Sequence, residues 1–187
     1  GARGPAISIA LLQDRIPVLG VVYAYAAPDH DGDLIAWSEG RPITRNGRVV
    51  RVPNLDATLS NDQVVLASPA ANVAPNAAAD IVSPARYDVS PSIAYRLALV
   101  AVGDADATLS IAPLSSWDIA AGHALLRAAG AHLLDQDGQE VVYTKDGECS
   151  LTACFGGSRG VAAELSKRRI RGRTLKEKAA PYITLTP

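Results

Sequence analysis

The chain has 187 residues, a length that suits one domain of ordinary size or pieces of two. Apolar residues make up 48%, enough for a real core, and 18 basic against 19 acidic residues argue against a chain built around nucleic acid. No apolar run reaches the roughly 18 residues that span a bilayer. Two cysteines, Cys149 and Cys154, are too few for a disulfide framework or a four-cysteine zinc site, and fit a reducing cytoplasm. Charge is uneven along the chain: eight basic residues fall from Arg159 onward, against Glu164 and Glu177. Such a cluster reads first as a solvated helix end and terminus, and only second as a contact for a charged partner.

The first fifty residues read as an antiparallel meander. "PAISIALL" (5–12) and "PVLGVVYAY" (17–25) are apolar β-rich runs joined by Gln13–Ile16. "GDLIAWSEG" (32–40) is a third strand, and "PITRNGRVVRV" (42–52) carries Asn46-Gly47, the strongest short hairpin signal. Nothing in this stretch supplies a cover for such a sheet. After Pro53 a polar connector leads to "VVLASPA" (64–70), a short buried strand; 70–86 is a loop or a poorly capped helix.

"SPSIAYRLALVAVG" (90–103) predicts a helix with Ser90 as cap, Pro91 at the first position and Gly103 as stop. "ADATLSI" (105–111) is a strand. "AHLLDQDGQEVVY" (131–143) reads as strand, turn, strand; "SLTACFGG" (150–157) as a last buried strand; and "SRGVAAELSKRR" as a final helix. From residue 60 on, helices alternate with strands, the pattern of a mixed α/β sheet.

Between these lies "SSWDIAAGHALLRAAGAHLLD" (115–135), an alanine- and leucine-rich helix that opens on Trp117 and Asp118. Ser115 or Ser116 is a natural cap, and Gly130 a natural left-handed stop. Asp118 then sits in the first turn, where the positive end of the helix dipole stabilises a carboxylate. That account needs no function; the rivals are a metal ligand or a group orienting a nucleophile. His123 is off the face of Asp118 by helical geometry, a tolerated helix histidine. His132 and His30 belong to no constellation. "DHDGD" (29–33) lacks the later bidentate acid of a calcium loop and reads as a hairpin loop.

"WDIAAGHALLRAAGAHLLDQDG" resembles the second signature of the inositol monophosphatase superfamily. "ISIALLQDRIPVLGVVYA", "GDLIAWSEGRPITRNGRVVRV" and "SIAYRLALVAVGDADATL" resemble further family blocks in the same order, over roughly residues 6 to 155. The wording "AAGHA…AAGAH" leans toward the 3'(2'),5'-bisphosphate nucleotidase branch. The resemblance implies a layered αβαβα fold and a Mg²⁺-dependent phosphomonoesterase acting on an inositol phosphate or a bisphosphate nucleotide. It makes Asp118 a metal ligand, Trp117 a packing residue that fixes its turn, and Ser92 the residue whose helix start approaches substrate. Arg96 lies where the nucleotidases tend to have lysine, for a second phosphate or else a surface carboxylate. Asp106 matches an aspartate that is more often structural.

The family's first signature, D-P-x-D-G-T, which supplies most metal ligands, has no counterpart here, and Ile111 stands where some members carry a substrate-binding glutamate. One carboxylate does not hold Mg²⁺ against its hydration shell. We therefore expect an N-terminal part to be missing. Residues 1–56 are then a sheet remnant of the metal-binding domain, 57–166 the C-terminal α/β domain, and 167–187 a basic tail. The chain alone should be inactive and should self-associate or bind the missing segment or another polypeptide. The competing reading is a non-catalytic binding or assembly protein that retains the second domain.

Overall fold

A computed structural model describes residues 4–27, 32–52, 54–55 and 58–171, with side chains through Arg168. His30, most of the 29–33 loop and the basic stretch 172–187 lie outside the described residues. The first sheet is the expected meander, ordered β1-β2-β3-β4-β5 and antiparallel throughout: β1 (Ile7–Gln13), β2 (Ile16–Ala24), β3 (Asp33–Ser38), β4 (Thr44–Arg45) and β5 (Arg48–Val49). Two tight turns make it possible. Asn46 and Gly47 take φ of 50° and 76°, the left-handed pair of a type I′ turn, as the sequence signals. Asp14 and Arg15 do the same at 50° and 69° without a glycine, and Arg15 Nε donates to the Tyr143 carbonyl at 2.7 Å.

The second sheet is ordered β10-β12-β8-β6-β7. β6 (Val64–Ala67) pairs in parallel with β7 (Arg86–Val89) and with β8 (Ala107–Ser110); β12 (Cys154–Gly157) runs antiparallel to β8 and to β10 (His132–Asp135). The undecided stretch 70–86 resolves into a 3-10 turn (Pro69–Val73) and α1 (Pro75–Val82). The expected strand 150–157 is broken. Its first part, β11 (Ser150–Leu151), leaves the main sheet to pair with β9 (Leu114–Ser115). The strand expected after the Gly138 turn reduces to one bridge, Leu134 to Glu140.

Between the sheets lie α2 (Ile93–Val102) and α3 (Ser116–Ala128), and α4 (Arg159–Arg171) packs with α1 beyond the second sheet. The layers are thus sheet, helices, sheet, helices. They match the expected αβαβα order with its first helical layer absent among the described residues. α3 is buried from Ile119 to Leu126 because both of its sides face a sheet or α2. The approach is close: a Cβ on Gly20 of β2 would lie 2.3 Å from the Ala121 carbonyl oxygen of α3.

No described residue packs across the other face of the first sheet. Ile7, Ile9 and Leu11 are 51%, 57% and 56% exposed, and their register partners Tyr23, Val21 and Leu19 are only half-buried.

A buried ionic latch ties the first sheet to the helical layer. Asp33, fully buried, accepts from Arg45 Nε and Nη2 at 2.9 and 2.7 Å and from the Tyr95 hydroxyl at 2.7 Å. Arg45 also reaches Asp104, just past α2, at 2.7 Å. The Asp33 hydrogen bond raises the Arg45 pKa, and burial followed by Asp33 raises that of Tyr95.

Candidate functional site

Two helix starts and the first residues of the chain's leading strand enclose an open cleft of about 700 Å³. Ser92 and Ile93 at the start of α2, Trp117 and Asp118 at the start of α3, and Pro5 and Ser8 at the sheet edge are among its lining residues. Both helix starts are set by serine caps. The cap of α2 is Ser92, not the expected Ser90: its Oγ accepts from Tyr95 N at 3.3 Å. Ser90 is held instead by the sheet, its N–H donating to the Ala67 carbonyl. Gly103 ends the helix at φ 84° as expected.

Ser115 caps α3, and Asp118 at the third position returns a hydrogen bond, its Oδ2 accepting from Ser115 N at 2.8 Å. The β9–β11 pair fixes Ser115 against Ser150, next to Cys149. Burial and then the Asp118 charge push the Cys149 thiol pKa up. Asp118 is half-buried and is the sole charged residue lining the cleft among the described residues. The cleft therefore offers two helix N-termini, suited to an anionic or hydroxyl-bearing ligand, around one carboxylate.

Arg96 does not join them. It is 1% exposed, its Nε on Thr108 Oγ1 at 3.2 Å and its Nη1 on the Ser90 and Pro91 carbonyls at 2.6 and 3.2 Å. The expectation that it meets substrate gives way to a different placement. Its guanidinium lies behind the cleft wall, where it holds the turn that leads into Ser92. Desolvation lowers its pKa to about 10, and no carboxylate pairs with it among the described residues. Trp117 is corrected in the opposite sense. Expected as a packing residue, it is 73% exposed at the cleft.

Three further carboxylates, Asp106, Asp88 and Asp104, are occupied elsewhere. Asp106 Oδ2 accepts from Val64 N at 2.7 Å, a structural bond between β6 and the start of β8. Asp88 binds its own neighbour, Val89 N, and Asp104 belongs to the Arg45 latch. His132, read as isolated, meets Glu140 at 2.6 Å, and Glu140 also meets Arg159. His123 is buried, with Nδ1 3.1 Å from the Tyr143 hydroxyl.

Among the described residues no group of three His, Cys, Asp or Glu side chains is placed to hold a metal. A single carboxylate with one oxygen committed to a helix cap falls short of the oxygen set that magnesium takes. The residues present do not by themselves fit the Mg²⁺ that the family resemblance implies.

Comparison with known proteins accounts for the fold. The 3'(2'),5'-bisphosphate nucleotidase CysQ of Salmonella typhimurium is 32% identical over 147 residues, covering 74% of this chain and 54% of that protein. The chain thus spans about half the length of the curated relatives it matches. A Staphylococcus aureus inositol monophosphatase-II, solved with inositol monophosphate bound, superposes with a TM-score of 0.68 at 24% identity, over 86% of this chain and 60% of that one. The Thermotoga maritima IMPase gives 0.69 at 23% identity, over 89% and 61%. At such identities these structures speak for the fold alone. Residues 1–170 match the profile of the inositol monophosphatase family, and the chain belongs to that family.

Proposed function

We propose that these residues form the substrate-facing part of a phosphomonoesterase for a small phosphorylated metabolite, an inositol phosphate or a 3'(2'),5'-bisphosphate nucleotide. The observation that carries the reading is the convergence of the α2 and α3 N-termini on one cleft with Asp118 between them. In this reading the first-turn amides and Ser92 receive phosphate or sugar hydroxyl oxygens. Ser115 N–H fixes the Asp118 carboxylate, leaving Oδ1 as the oxygen toward the cleft contents. Arg96 keeps the Ser90–Ser92 turn in place from behind. Mg²⁺ is the cation such a protein would use, and its other carboxylates lie outside the described residues. On this reading, the described residues by themselves release no phosphate.

The test is phosphate release from inositol 1-phosphate and adenosine 3',5'-bisphosphate, with and without Mg²⁺, by this chain alone and with a family-derived segment bearing D-P-x-D-G-T. Release only when the segment is added supports the proposal; Mg²⁺-dependent release by the chain alone overturns its division of the site. The lone carboxylate also favours a second reading, a non-catalytic binding protein. Binding of either phosphate ester with no release under any of these conditions would select it.

A further inference from the structure

We draw no further inference here: the strongest candidate, the exposed Trp117 indole where the cleft meets the small cavity between β1 and α3, belongs to the site already described, and nothing in the structure shows what covers it.

Discussion

His123 gives the fold a built-in sensitivity to acid. It is 6% exposed on α3, its ring centroid 5.7 Å from that of Tyr143. Burial first, then the charges of Arg127 and His132, lower its pKa from 6.5 to about 4. The native protein thus holds a neutral imidazole at pH 5 and 6, whereas the unfolded chain takes up a proton below its ordinary value. Between those limits the unfolded state binds more protons, so stability falls as pH falls. The His123 contribution is complete above about pH 6.5 and exhausted near pH 4, a difference of about 3 kcal/mol at about 1.4 kcal/mol per pH unit. Urea unfolding at several pH values between 7 and 4 should show the parent losing about 3 kcal/mol more than His123→Gln. Surface carboxylates titrate equally in both proteins and cancel in the comparison. Parallel stability curves for parent and variant over that range would refute the reasoning.

Other substitutions test the ionic latch, the contact of the first sheet with α3, and the turn behind the cleft wall. Arg45→Met leaves Asp33 buried with, among the described residues, the Tyr95 hydroxyl as its side-chain donor and should cost about 3–5 kcal/mol by urea unfolding; a loss below about 1 kcal/mol would mean that the latch contributes little. Gly20→Ala places a methyl group against the Ala121 carbonyl and should destabilise by about 1–3 kcal/mol, with a matching fall in melting temperature. Arg96→Met strips a donor from the Ser90 and Pro91 carbonyls and should cost about 1–3 kcal/mol. It should also speed amide exchange at the start of α2, and unchanged exchange there would remove Arg96 from the cleft wall.

What the sequence made legible followed from residues with few conformational choices. Asn46-Gly47, Gly103 and Gly130 mark turns and helix ends because their left-handed conformations exclude most other residues. The four ordered family blocks carried the layer order, and with it the bare sheet face at Ile7, Ile9 and Leu11. The errors arose where tertiary neighbours decide. Ser90 and Ser92 flank the same proline, and only the pairing of β7 with β6 gives Ser90 to the sheet and the helix cap to Ser92. β7 was not anticipated because "RYDV" has two charges in four residues and becomes a strand through its neighbour. Arg96 was expected at a ligand from its place in the family resemblance; its actual acceptors are largely backbone carbonyls, which a sequence does not display. The family resemblance implied that Trp117 packs and fixes its turn; its position at the cleft leaves it open. Asp118 was placed correctly in its first turn by the cap chemistry alone.

The most direct test of the account is Asp118→Asn in a protein that joins these residues to a D-P-x-D-G-T segment. The amide can still accept from Ser115 N–H, so α3 and the fold should persist, as circular dichroism and the melting temperature would show. Mg²⁺-dependent phosphate release from adenosine 3',5'-bisphosphate and inositol 1-phosphate should fall to background. Release at the parent rate from the folded variant would contradict the assignment of Asp118 as the carboxylate on which the cleft depends.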